Sequence, residues 1–290
     1  MHQSGMTIAL AAGEYQAKIV TVGAGIAALT HRGRHVVIPH PPEEMPLAHL
    51  GKVLIPWPNR ITSGRYQFDG ETFTPAINDR AGNSAIHGLL AWHNWQVVER
   101  STTHVTLSAF LPPTYGYPFM LACEVTYQLD EDTGLSARIL SKNIGDVTAP
   151  YGAGVHPYLT CNLQCVDGCE LQLPTGNLFD IQTLTFFANT KLDFQTQRRI
   201  GTTQIDHSFE ARRDDAPWEV RLVHPPTEMS VRLRSNQPWL QVYSGEKLAR
   251  KGLAVEPMSC PPDAFNSGLD LVQLAPDDTH SLSFNIGVNN

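Results

Sequence analysis

Four short stretches of the chain place an ionisable residue where its neighbours are apolar: "IPWPNRI" with Arg60, "AIHGL" with His87, "GVHPYL" with His156 and "LAVEPM" with Glu256. An ionisable group in such a setting loses hydration that only a partner or a function makes up. Glu256 is the sharpest case, a carboxylate among Leu253, Val255 and Met258. Three of the four stretches also carry a proline beside the polar residue: Pro58 before Asn59-Arg60, Pro157 after His156 and Pro257 after Glu256. A residue before proline is biased to extended backbone, so His156 and Glu256 are expected on rigid strand ends, which suits groups that must hold a geometry. A histidine and a carboxylate are also the side chains that take and give protons near neutral pH. Each has an ordinary reading when taken alone: a satisfied structural histidine, or, for Arg60, one half of an ion pair.

The elements that must position these groups read as strands, because the apolar period along the chain is two. "RYQFDGETFTP" is a hairpin signal, with Tyr66 and Phe68 alternating with polar neighbours, Asp69-Gly70 as the turn and Phe73 on the return. "HVTLSAF", "CEVTYQL" and "GLSARIL" across the turn "DEDTG", "MSVRLR", "LQVYSG" and "HSLSFNIGV" follow the same rule. The 22 Gly and 21 Pro residues are spread along the chain, as many tight connections require. No long segment carries an apolar stripe at helical spacing, and no linker, repeat or composition shift divides the chain. The expectation is one all-β domain over residues 1–290, a large two-layer sandwich of mostly antiparallel strands.

One motif points elsewhere at first sight. In "KIVTVGAGIAALTHRGRHVV", Gly23, Gly25 and Ala28 have the spacing of a dinucleotide-binding turn. That turn must open a helix of several turns and lead to a second strand ending in an acidic residue. Here a basic turn centred on Gly33 follows almost at once, and the next apolar run ends in Pro39, His40, Pro41 and Pro42. The stretch therefore reads as the first strand, a glycine turn and the second strand of the sandwich.

Composition narrows the function classes. A chain of 290 residues with 42% hydrophobic and 17% charged residues can bury a sizeable core. Its net charge of -7 argues against nucleic acid as the main partner. No apolar run is long enough to span a bilayer, and "MHQSGMTIALAAGEYQ" lacks the basic start and apolar core of a signal peptide, so a cytoplasmic location without membrane contact is expected. Monomer and homodimer both remain open. Five cysteines, an odd number, suit reduced thiols. Cys161, Cys165 and Cys169 in "CNLQCVDGC" are spaced unlike the common metal knuckles, and Gly168 disfavours a helix that would align them, so no metal is expected there.

Taken in order, the polar stretches form a recognisable set. "PWPNRITSGRYQFDG", "NSAIHG" with Trp95 following, "GYPFMLACEVTYQL", "VHPYL" and "LAVEPMSCPPDAFN" match successive motifs, and the chain resembles the aldose 1-epimerase (galactose mutarotase) family along nearly its whole length. The resemblance implies a β-supersandwich fold and an isomerase of carbohydrate metabolism. It departs from members acting on galactose at two places: Val155 stands where they carry asparagine, and Leu89 where they carry a second glycine.

Mutarotation exchanges α and β anomers through ring opening, which needs a base for the C1 hydroxyl proton and an acid for the ring oxygen. The resemblance implies Glu256 as base and His156 as acid, supplied from opposite sides of the sugar, with no cofactor or metal. It implies that Arg60 and His87 hold the anomeric and ring oxygens, and that Asp206 binds sugar hydroxyls, with Asp193, Asp214 and Asp215 in the same region as rivals for that role. Trp92, Trp95 and Trp239 offer possible stacking faces. Two alternatives stand beside this reading. A mutarotase for a hexose phosphate or sulfo-sugar would need a cationic pocket, for which Arg65, Arg212, Arg213 and Arg250 are candidates. A non-catalytic sugar-binding module would need neither acid nor base.

Overall fold

The computed structural model describes residues 2–211 and 216–289. Strands dominate, and among these residues the α-helix is confined to Ala264–Ser267. A nine-stranded antiparallel sheet and an eight-stranded sheet form the body, with a four-stranded sheet near the N-terminus. The fold class is all-β, as the period of two requires.

The alternation in sequence becomes alternation in burial. Leu121–Asp130 and Gly134–Asn143 pair from Leu121↔Asn143 to Asp130↔Gly134, and Val125, Tyr127, Leu129 and Ile139 turn into the core while Glu124 and Gln128 turn out. The same apolar cluster takes in Leu171, Val220 and Leu222 from the nine-stranded sheet and Val155, Val242 and Val255 from the eight-stranded one. Each such side chain contributes about 1.5–3 kcal/mol by leaving water. Among the described residues no helix is long and apolar enough to cross a membrane.

Both hairpin expectations hold. Tyr66–Phe68 pairs with Glu71–Phe73, and Asp69 (φ 49°) and Gly70 (φ 79°) take the left-handed conformations of a tight two-residue turn. The glycine turn lies between Tyr15–Val20 and Gly25–His31, and Arg32-Gly33 turns the chain into Arg34–His35. These are not the opening strands, however. Thr7–Ala12 precedes them and pairs with Tyr15–Val20, because "TIALAA" already alternates between buried and more exposed positions.

One register fixes the site. Gly154–Val155 and Tyr158–Leu159 both pair with Leu253–Met258, through Gly154↔Met258 and Tyr158↔Ala254. Continuing that register sets His156 opposite Glu256. On its other edge Leu253–Met258 pairs with Trp239–Tyr243, placing Gln241 against Glu256, and the next strand, Asp206–Glu210, sets Asp206 against Tyr243. Three neighbouring strands and the interrupted fourth thus present His156, Glu256, Gln241 and Asp206 to one cleft.

Candidate active site

His156 Nε2 lies 3.3 Å from Glu256 Oε1, with both side chains buried. The strand geometry explains the contact. Val255 N–H donates to the Pro157 carbonyl at 3.1 Å, so 157 and 255 form the hydrogen-bonded pair and 156 and 256 the non-hydrogen-bonded one, in which side chains approach most closely. Glu256 therefore sits inside its strand rather than at its end. The expectation that acid and base flank the sugar is corrected: groups in direct contact stand side by side. Burial pushes the two in opposite senses, His156 below the usual histidine range and Glu256 well above the usual carboxylate range, the latter reinforced by the Asp206 charge and opposed by Arg60. Glu256 Oε2 and His156 Nδ1 have no hydrogen-bond partner among the described residues.

His87 adds a donor. The Asn59 backbone N–H donates to His87 Nδ1 at 3.2 Å, and the His87 N–H returns a bond to the Asn59 carbonyl at 2.8 Å. An accepting Nδ1 puts the proton of the neutral ring on Nε2. The ring stays neutral because burial, followed by neighbouring positive charge, holds its pKa well below the ordinary value. Both residues adopt left-handed backbone (Asn59 φ 54°, His87 φ 64°). The turn continues through Gly88, where an added Cβ would lie 2.2 Å from the Ile55 carbonyl oxygen.

Arg60 reaches the same cleft from the paired strands Arg60–Thr62 and Ser84–Ile86. Its Nε contacts Asp79 Oδ2 at 3.2 Å and its Nη1 donates to Asn59 Oδ1 at 3.2 Å. Asp206 accepts a 2.8 Å hydrogen bond from Gln241 Nε2 and is exposed at the mouth. All five residues expected from sequence, Arg60, His87, His156, Asp206 and Glu256, line one cleft of about 290 Å³, at the small end of ligand pockets.

The cleft also holds residues that the sequence reading passed over: His49, Asp79, Gln241 and Lys247. His49 sits edge-on to His87 (4.6 Å between centroids) and parallel to His156 (6.2 Å). Burial, with Lys247 and Lys52, lowers its pKa to about 4 against the pull of Asp79. His49 lies in "PLAHLG" among apolar neighbours, the signal that flagged the other histidines, but without an adjacent proline. Asp79 and Lys247 sit in polar loops and carried no such mark.

Other expected residues lie elsewhere. Trp95 and Trp239 are fully buried and their indole N–H groups are bonded to the Leu90 carbonyl and to Asp270, so they pack. Trp92, 38% exposed, packs tilted against His49 with ring centroids 5.4 Å apart. Arg65 lines a separate cleft, and Arg250 is paired with Asp167 and Glu246 at 2.6 Å each. Asp193 bonds to Gln195 outside the cleft. Arg212, Arg213, Asp214 and Asp215 lie outside the described residues. Cys161 and Cys169 are buried with their thiols in contact, while Cys165 is exposed, and the three do not gather as one ligand set.

His87, His156 and Glu256 offer ligand atoms within 4.8 Å of one another, a donor set that could in principle hold a metal ion. The hydrogen bonding disfavours it. A metal on His87 Nε2 would displace that proton onto Nδ1, against the Asn59 N–H.

The fold and this cleft can be set beside known proteins. Residues 6–287 match the family model described as Aldose 1-epimerase, and the chain belongs to that family. It is 56% identical to "Uncharacterized protein YihR" of Escherichia coli (strain K12), over 99% of this chain and 94% of that protein. It is 25% identical to the Aldose 1-epimerase of the same organism, over 69% of this chain and 64% of that one. Among solved structures, the GalM/aldose epimerase homologue from C. elegans superposes with a TM-score of 0.87 at 19% identity, covering 98% of this chain and 99% of that one. The galactose 1-epimerase from Lactobacillus acidophilus NCFM gives 0.81 at 18% identity, covering 98% and 94%.

Proposed function

We propose that the protein is an aldose 1-epimerase that interconverts the α and β anomers of an aldose. The observation that carries this reading is the buried His156–Glu256 contact at 3.3 Å. The two oxygens that exchange protons in ring opening, the anomeric hydroxyl and the ring oxygen, are both bonded to C1. Acid and base must therefore stand beside each other, and a cross-strand pair in contact meets that requirement. The pair shares one proton across the 3.3 Å contact; with that proton on His156, the Glu256 carboxylate takes the hydroxyl proton, His156 delivers its own to the ring oxygen, and reclosure on the other face of the aldehyde reverses both transfers. The Nε2–H of His87 and the guanidinium of Arg60 face the oxygens on which charge develops. The chemistry needs no cofactor. A sugar-binding module would have no use for a buried carboxylate whose second oxygen lacks a partner.

The test is anomer exchange followed by NMR on a panel of free aldoses, with Glu256→Gln as control. Exchange accelerated by the wild type and lost in a folded Glu256→Gln supports the reading. No acceleration with any sugar, or a fully active variant, overturns it.

One observation favours a substrate carrying a phosphate or sulfonate. Arg60 is tied to Asp79, whereas the Lys247 ammonium, also lining the cleft, has no carboxylate partner among the described residues. Under that reading an anionic sugar outcompetes its neutral parent, and Lys247→Met removes the preference.

A further inference from the structure

The unexplained G-x-G motif and a buried lysine explain each other. Lys52 is wholly buried, and among the described residues no carboxylate pairs with it; its ammonium donates to the Val22 carbonyl at 2.5 Å. Two glycines make room for its stem. At Gly23 (φ +71°) an added Cβ would lie 2.6 Å from Lys52 Cδ and 2.2 Å from the Ala91 carbonyl oxygen, and at Gly25 it would lie 3.4 Å from Cδ and 3.5 Å from Nζ. The spacing that imitates a dinucleotide turn is the cradle of a lysine.

A buried, unpaired ammonium is costly, and it is retained next to the candidate active site. Its Nζ lies 5.2 Å from the centroid of the Trp92 ring, whose own centroid is 5.4 Å from that of His49. Its backbone is bound to the site on both sides: Lys52 N–H donates to the His49 carbonyl, and His156 N–H donates to the Lys52 carbonyl, each at 3.0 Å. An ammonium near an indole, with an imidazole against the same ring, holds the ring by cation–π attraction and sets a positive charge behind His49.

We propose that Lys52 is a positioning residue of this site, its ammonium seating Trp92 against His49 and placing a positive charge behind that imidazole. The proposal rests on the mutarotase reading for its role in turnover, but not for its electrostatics. The groups acting on His49 are Lys52 and Lys247, which disfavour its protonation, Asp79, which favours it, and the neighbouring imidazoles of His87 and His156. Burial also brings the Lys52 pKa down to about 8, so the charge is present at neutral pH and fades above it.

The experiment compares wild type with Lys52→Gln, which keeps a donor for Val22, and Lys52→Met, which keeps only the stem. Imidazole titrations read by ¹H–¹⁵N NMR need no substrate. The His49 titration is expected to rise by about one unit in both variants. Thermal stability should hold or improve. A purely structural lysine would change stability and leave the titration where it was, and that result overturns the proposal. Trp92→Leu, at a partly exposed position, supplies the same measurement should the Lys52 variants fail to fold: water entering beside the ammonium screens it, and His49 should again titrate higher. An unchanged His49 in Trp92→Leu also overturns the proposal. A shifted titration in a protein whose wild type exchanges no anomers would refute the mutarotase reading while leaving the assigned charge in place.

Discussion

His156 and Glu256 are cross-strand partners flanked by two prolines that cannot donate. Pro157 lies opposite Val255 and, by the same register, Pro257 lies opposite Val155, so each flanking pair lacks one N–H donor. The ladder is weakened on both sides of the two residues whose side chains meet at 3.3 Å. The prolines that drew attention in sequence mark the point where a sheet gives up hydrogen bonds and a buried histidine meets a buried carboxylate.

This pairing sets the pH dependence. The ordinary order, carboxylate titrating below histidine, is inverted by burial, which raises Glu256 and lowers His156. The pair then holds one proton through the neutral range, and its activity limbs belong to the pair. A second proton must enter on the depressed histidine to form the acid limb, and the shared proton must leave the elevated carboxylate to form the alkaline limb. We expect kcat/KM to be level through neutrality, with the acid limb below the usual histidine range. Carbon-13 NMR of labelled glutamate checks the assignment: one carboxyl should titrate well above the others and vanish in Glu256→Gln.

Glu256→Gln should separate chemistry from stability. A protonated carboxyl and an amide are nearly the same shape, so the fold should lose no more than about 1 kcal/mol, while exchange should fall by about 10⁴-fold. Denaturant titration beside the exchange assay measures both, and a large loss of stability would show that Glu256 is ionised in the resting protein.

The His87 tautomer makes a sharper distinction. The ring accepts from Asn59 N–H, which leaves Nε2–H as the donor toward substrate. His87→Gln can retain a donor near that position, whereas His87→Phe cannot. The phenylalanine variant should lose about 10²-fold in kcat and the glutamine variant distinctly less; equal losses would remove the donor role.

Acid stability reports on His49. Its pKa is lowered to about 4 in the fold, so the unfolded chain takes up the proton first, and stability falls as pH drops below about 6.5. At pH 5 the loss from this group is about 2 kcal/mol. Replacing it, as in His49→Gln, should flatten the dependence of unfolding free energy on pH by nearly one proton between neutrality and pH 5.

Asp79→Asn should act on Arg60. The 3.2 Å ion pair is partly exposed, so it adds little stability, but it aims the guanidinium. A roughly tenfold fall in kcat/KM is expected with the melting temperature almost unmoved.

The strands, their turns and four of the site residues could be read from the chain because their signals are local. Period two, an Asp-Gly turn, and an ionisable residue inside an apolar run each lie within a few positions of sequence. Lys52, in "GKVLIPW", carried the same mark as Glu256 and was legible by the same rule. What the sequence could not decide was which distant strands become neighbours. The contact between His156 and Glu256 depends on a register spanning a hundred positions, and it turned an acid and base imagined on either side of a sugar into a touching pair. Asp79 and Lys247 come from polar loops whose side chains acquire a role only when the sheets bring those loops over the cleft. Gly23 and Gly25 looked like a phosphate turn until packing set Lys52 against them. Local chemistry determines which residues are unusual, and long-range packing determines what each of them faces.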